Sequence, residues 1–252
     1  MSYNTAKGER GERMKRGLTG GALKWIALIT MLIDHFTAVF DKGSTLAYRP
    51  LFSYESYIFL RSVGRIAFPI YCFLLVEGYC HTRSVKKYLL RLGLFGIVSE
   101  VPFDLAFRGS FVNWTYQNVY FTLFLGLLAV WLWDLCTKKN LKSCPFWRIL
   151  LGLGAIAGCA LIAHFGETDY HEWGVLVIAA MYLFRASEWQ RDLFSGCALL
   201  LSSPLEIFGF VDYILLHFYN GERGKQPKYL FYLFYPVHLI VLVLLSRAIY
   251  GT

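Results

Sequence analysis

The stretch Ala22-Leu23-Lys24-Trp25-Ile26-Ala27-Leu28-Ile29-Thr30-Met31-Leu32-Ile33-Asp34-His35-Phe36-Thr37-Ala38-Val39-Phe40 decides the fold. It is apolar except for two threonines and the ionisable Lys24, Asp34 and His35, and it is close to the ~20 residues that carry a helix across a ~30 Å hydrocarbon layer. A polar tail, 1–23, precedes it, where Lys7, Arg10, Arg13, Lys15 and Arg16 outweigh Glu9 and Glu12. No small-x-small cleavage site follows, so the run reads as a retained helix, not a cleaved signal peptide. Working outward, apolar runs of similar length fall at about 57–80, 86–107, 118–136, 146–165, 173–185 and 229–249. The stretch 193–218, bent at Pro204, reads either as one kinked span or as a re-entrant pair. The expected fold is an all-α, polytopic transmembrane bundle of eight helices, with nine as the alternative, and a single domain over 24–252.

Composition agrees. Of 252 residues, 56% are apolar and 17% charged, against about 25% charged in soluble domains. Mean hydropathy is +0.45. Aromatics at 18% suit a chain whose Trp and Tyr line membrane–water interfaces. The formal charge of +8 would raise nucleic-acid binding in a soluble chain, but the basic residues sit in the gaps between spans, without the aromatic interleaving of a single-strand groove. The six cysteines show no CxxC pair and no metal-ligand spacing, so neither a disulfide framework nor a metal site is expected.

The Lys and Arg bias sets orientation. The basic tail puts the N-terminus in the cytosol. The gaps holding Arg83, Lys86 and Lys87, and Lys138, Lys139 and Lys142, fall on the same side. The gap 41–56 and the acidic one with Glu167, Asp169 and Glu172 face outward. The alternation weakens at 219–228, where Arg223, Lys225 and Lys228 fall outside if 193–218 crosses once.

Ionisable groups at bilayer depth are costly and demand a partner or a task. On the first helix Lys24 and His35 are eleven residues apart, on nearly one face and about 16 Å apart along the axis. A cation at the cytosolic mouth suits an anionic substrate, and a deeper neutral imidazole suits proton abstraction. Asp34 is a candidate to orient that imidazole, and a satisfied core histidine is the bland alternative. Arg61 and Arg65, at i and i+4, form a double clamp for phosphate or carboxylate, or an interhelical ion-pair set. Gly64 permits close approach and Pro69 breaks the helix. Glu77 and His81 repeat the i, i+4 relation. Glu100 and Asp104 flank Pro102 and are candidates for base, relay or counter-ion. His238, two residues past Pro236, is a cavity or a core residue.

These stretches together resemble the TraX family of membrane proteins. The resemblance lies in Leu23 through His35, in Arg61-Ser62-Val63-Gly64-Arg65-Ile66-Ala67-Phe68-Pro69, and in Leu75-Val76-Glu77-Gly78-Tyr79 with His81-Thr82-Arg83. It continues in Tyr88 to Leu92, Ser99 to Asp104, Asn118 to Gly126, Tyr219 to Gly224, and Phe234-Tyr235-Pro236-Val237-His238-Leu239. It implies an acetyltransferase of the bacterial inner membrane that uses acetyl-coenzyme A; the family's best-known acceptor is a pilin N-terminus, and the acceptor does not transfer with the family name. The Lys24-to-His35 spacing is also similar to a basic-x10-His pattern in membrane O-acyltransferases that decorate surface glycans. That likeness implies His35 as catalytic base or acyl carrier and Lys24, Arg61 and Arg65 on the donor phosphates. Asp34 or Glu100 would then orient or relay, with His238 or backbone groups at the Pro69 break at the oxyanion. The expected partners are the acyl-coenzyme A donor, the lipid bilayer, and a pilin-like peptide or glycan. A proton-coupled transporter and a non-enzymatic assembly factor are the rival readings.

Overall fold

The computed structural model describes residues 17–137, 145–225 and 227–251. Most of the basic tail, and Lys138, Lys139 and Lys142, lie outside the described residues. Among the described residues, regular structure is helical apart from two isolated bridges.

Helix α1, Gly20–Leu46, starts where Thr19 Oγ1 accepts the amide of Ala22 at 3.2 Å. At 27 residues it is about 40 Å long and exceeds the hydrocarbon layer. The second span is broken into α2, Tyr54–Gly64, and α3, Ala67–His81. The break falls at Arg65-Ile66 because Pro69 brings no amide to the Arg65 carbonyl, and proline is tolerated only in the first turn of the helix that follows. Then come α4, Val85–Phe107, α5, Val119–Thr137, α6, Pro145–Phe165, and α7, His171–Leu183. After α8, Glu188–Ser202, a 3-10 turn over Pro204–Phe210 leads into α9, Val211–His217, and α10, Lys228–Tyr250, closes the bundle. Among the described residues, five spans are long and apolar enough to cross a membrane: α1, the broken α2–α3, α5, α6 and α10. The chain is an integral membrane helical bundle, as its composition requires.

The stretch 193–218 is the re-entrant pair. His217, at the end of α9, lies 3.2 Å from Glu188, at the start of α8, so the chain has turned back to where it entered. Between them the Ser195 and Tyr213 hydroxyls meet at 2.9 Å, and a side chain at Gly196 would strike Phe210. The hairpin returns 218–225 to the end of the bundle at which α1 begins. There the amide of Leu18 donates to Phe218, that of Gly20 to Glu222 and that of Asn220 to Leu18. The charge pattern that weakened at 219–228 is thereby restored, since Arg223 and Lys225 share the end of Arg83 and Arg185. We call this the near end. At the far end, α1 and α10 touch at Gly43 and Ser246, and the 108–118 and 166–170 loops pair through Gln117 and Thr168.

Helix approach is set by glycine. A methyl group at Gly126 would run into Ile178, and one at Gly174 into Thr122, so α5 and α7 pack with their backbones close. The main apolar core joins α1, α3, α5 and α10, and a second joins α5, α6 and α7. Leu94, Ile97, Leu161, Ile162 and Leu244 point outward as a lipid-facing skin.

Candidate functional site

A cavity of about 240 Å³ opens where the α2–α3 break faces α1, α4, α5 and α10. Met31, Tyr71, Leu123 and Phe231 line its near side, and Arg108, Tyr116, Asp169 and Tyr170 its far side. Asp34, His35, Arg61 and Arg65 sit between them. Phe231 lies under the Lys24 ammonium, 5.2 Å from ring centroid to nitrogen, so Lys24 stands just beyond the near wall.

His35 is held by His238. The two rings are nearly parallel, 6° apart, and His35 Nδ1 lies 2.7 Å from His238 Nε2. His238 Nδ1 lies 2.6 Å from the Phe234 carbonyl, which only accepts, so this nitrogen carries the proton. His238 Nε2 is then an acceptor, His35 Nδ1 is the donor, and the lone pair of neutral His35 is at Nε2. Among the described residues no hydrogen bond occupies that nitrogen, and His35 lines the cavity. The rings of Phe107 and Tyr235 stand edge-on against His35, at 5.3 and 5.7 Å, and fix its plane.

Asp34 does not touch this pair. Its Oδ2 accepts from Arg61 Nη1 at 2.7 Å, while Arg65 Nη2 lies 3.6 Å from Oδ1. Arg65 Nη1 also reaches Glu206 Oε1 and the Tyr170 hydroxyl, at 3.3 and 3.4 Å. Gly64 makes this possible, since a side chain there would collide with Asp34. Two guanidinium groups thus face two carboxylates, with Glu206 supplied by the hairpin. Among the described residues, Asp34 Oδ1, Arg65 Nε and Glu206 Oε2 find no hydrogen-bond partner.

The residues proposed from sequence are therefore divided. His35 and His238 come together, and Asp34, Arg61 and Arg65 form the adjoining wall. Lys24 is on the same helix face but lies toward the near end, apart from the arginines. Glu100 is outside the cavity. Its Oε2 accepts from the Asn118 side chain and, at 3.4 Å, from the Asn118 amide, while Asn118 Oδ1 caps α5 at Tyr120. Glu100 thus braces the start of α5, and among the described residues no hydrogen bond joins it to His35. Both His238 nitrogens are engaged, Nε2 with His35 and Nδ1 with the Phe234 carbonyl.

The far wall adds groups to which sequence reasoning assigned no role: Asp169 and Tyr170, noted only in the outward acidic gap beside Gly174, and Tyr116. Asp169 accepts from the Tyr116 hydroxyl at 2.5 Å, and Tyr170 stacks on Phe68 with centroids 3.6 Å apart. Burial pushes the Asp169 carboxyl above the ordinary aspartate range, against the opposing pull of the Tyr116 bond and Arg65. The loop pays in backbone strain, with Glu167, Tyr170 and His171 all at positive φ (50°, 63° and 45°). Arg108 also went unnamed, although a cation closing an apolar run on the outward side was the signal that could have found it.

Comparison with known proteins agrees with this architecture. The family profile described as TraX protein matches residues 19–246. A protein of Dichelobacter nodosus, described as probable fimbrial assembly protein FimC, serogroup H1, is 32% identical over 250 residues, covering 87% of this chain and 92% of its own. No solved structure gives a significant match.

Proposed function

The chain belongs to the TraX family, and from that premise we propose that it moves an acetyl group from acetyl-coenzyme A to a pilin-like amine or a surface-glycan hydroxyl, with His35 as general base. The relative described as a fimbrial assembly protein favours an acceptor of the cell-envelope kind. The observation that carries the reading is the His238-locked tautomer of His35, whose Nε2 lone pair faces a cavity reaching toward both ends of the bundle.

The near end holds Arg83, Lys86, Lys87, Arg185, Arg223 and Lys225 and is taken as cytosolic. The donor phosphates stay there at Lys24, and only the thioester arm passes Phe231. A cavity of about 240 Å³ matches such an arm and not a whole nucleotide. His35 Nε2 takes the acceptor's proton as the acceptor atom bonds to the acetyl carbonyl carbon. The carbon–sulfur bond breaks and the thiolate receives that proton from His35. While His35 holds both protons, His238 Nε2 accepts from Nδ1–H and stabilises the cation. Arg61 and Arg65 line the chamber and face the developing oxyanion as fixed charges, a role that replaces phosphate clamping because each guanidinium already has a carboxylate.

The test is transfer of labelled acetyl from acetyl-coenzyme A by the purified protein in sealed vesicles, with donor inside or outside. Transfer dependent on His35 and on donor at the Lys24 side supports the reading. Failure of acetyl-coenzyme A to bind refutes it in favour of a non-enzymatic assembly factor.

A further inference from the structure

The far mouth of the cavity has a charge arrangement that the acyl-transfer chemistry leaves unused. Lys42 lies seven residues beyond His35 on α1, on nearly the same face and about 10 Å further out. Lys24, His35 and Lys42 thus form one stripe, with a cation near each end of the cavity. Two other helices bring further cations to Lys42. Arg108 caps α4 and lines the cavity, with its guanidinium 5.2 Å above the Tyr116 ring. Arg247 sits in the last turn of α10. Both guanidinium groups act on the Lys42 ammonium as like charges.

Two glycines build this convergence. A side chain at Gly43 would strike Ser246 and Tyr250, so α1 and α10 meet where Lys42 and Arg247 stand. Gly109, at φ +76°, turns the chain after α4, and a methyl group there would meet Lys42 Nζ at 3.3 Å. Among the described residues none of the three cations makes an ion pair. Asp104, which feels Arg108, is fully buried and spends Oδ2 on the Asn113 amide at 2.6 Å. A favourable helix-end dipole accounts for one cation on each helix, but not for three helices delivering them to one spot against mutual repulsion. The positive-inside bias disfavours them on this side as well.

We propose that the far mouth is a binding site for a phosphate group, carried by the molecule that enters the cavity from that end. Three donors from three directions match an oxyanion with several oxygens better than a carboxylate, which one arginine satisfies. In the acyl-transfer reading, on which this identification of the occupant as acceptor rests, the acceptor bears its phosphate about 10 Å from the atom that is acetylated. The phosphate belongs either to a lipid headgroup or to a soluble phosphate-bearing molecule.

The experiment uses the full chain in phosphatidylcholine nanodiscs. One arm adds phosphatidylglycerol and counts retained lipids by native mass spectrometry. A second adds inorganic phosphate, with chloride at matched ionic strength, and follows thermal stability. Wild-type protein is expected to retain phosphatidylglycerol, or to be stabilised by phosphate, and the Lys42→Gln/Arg108→Gln/Arg247→Gln variant to lose the response. A lipid-only response identifies a headgroup, and a response to phosphate identifies a soluble group. Arg108→Gln and Arg247→Gln alone, both at exposed positions, are expected to weaken binding by about tenfold each and guard against misfolding of the triple variant. Binding absent from wild type, or unchanged in these variants, overturns the proposal. Neither arm needs turnover, so loss of acetyl transfer with intact phosphate binding refutes only the acyl-transfer reading.

Discussion

Replacing His238 by alanine tests the relay most directly. The substitution removes the acceptor of the His35 Nδ1–H bond, at 2.7 Å, and leaves that donor facing apolar and aromatic neighbours. An unsatisfied buried donor costs about 1–3 kcal/mol. The cost falls on the tautomer with its lone pair at Nε2, while the opposite tautomer escapes it. The competent form is therefore depleted by roughly 5- to 150-fold, and kcat should fall by that factor. His35→Ala removes the base itself and should cost on the order of 10²–10⁴. Because the two rings act as a unit, the double variant should be no worse than His35→Ala alone. His238→Gln returns an oxygen acceptor and should recover part of the loss. The assay is single-turnover acetyl transfer in vesicles, with donor affinity and melting temperature measured in parallel. A folded His238→Ala protein with wild-type turnover would refute the relay, as would a double variant with a further large loss.

Four further outcomes follow from the same geometry. Glu206→Ala strands Arg65 beside a single shared carboxylate and should destabilise the protein by about 3–5 kcal/mol, read as the unfolding midpoint in detergent. Gly64→Ala drives a methyl group into Asp34 and should cost about 1–3 kcal/mol, whereas Gly154→Ala, with open space around it, should stabilise its helix by roughly 0.5–1 kcal/mol. Asp169 has its carboxyl raised by burial, so its contribution is most favourable below the ordinary aspartate pKa and is lost as pH rises through the higher folded value. Asp169→Asn should therefore flatten the decline of melting temperature over that rise, and an unchanged slope would count against it. In a cysteine-free background, single cysteines at Arg83 and Lys225 should label from one face of sealed vesicles and a cysteine at Glu167 from the other; labelling of the Lys225 site with the Glu167 site would contradict the hairpin.

The spans were legible because lipid demands long apolar runs, and their charge-bearing members were legible because charge there is rare. The stripe Lys24 to His35 followed from helical period alone. Partners were less legible. Asp34 neighbours His35 in sequence, yet successive residues point about 100° apart, and Arg61 claimed the carboxylate from another helix. Glu100 looked catalytic by depth and proline neighbourhood, but its partner Asn118 is a helix cap, a role visible only once α4 and α5 are side by side. The pairing of His35 with His238 spans 203 residues and has no local trace. Asp169 and Tyr170 stood out only as part of the outward acidic gap; their place in the cavity wall was not legible, because they enter it through a strained loop that hydropathy does not register.

The re-entrant hairpin also dictates an order of assembly. A helix handed to lipid satisfies its own backbone, but this hairpin turns in mid-bundle with Glu206 at 1% exposure and Asp212 fully buried, both Asp212 oxygens lacking hydrogen bonds among the described residues. It is a poor lodger in bare lipid. Its counter-charge, Arg65, is synthesised 141 residues before Glu206. The broken α2–α3 span must therefore already be in place, with its guanidinium waiting, when the hairpin leaves the ribosome. The first half of the chain serves as the receptor that lets the second half enter the membrane, and the ion network that shapes the chamber records that meeting.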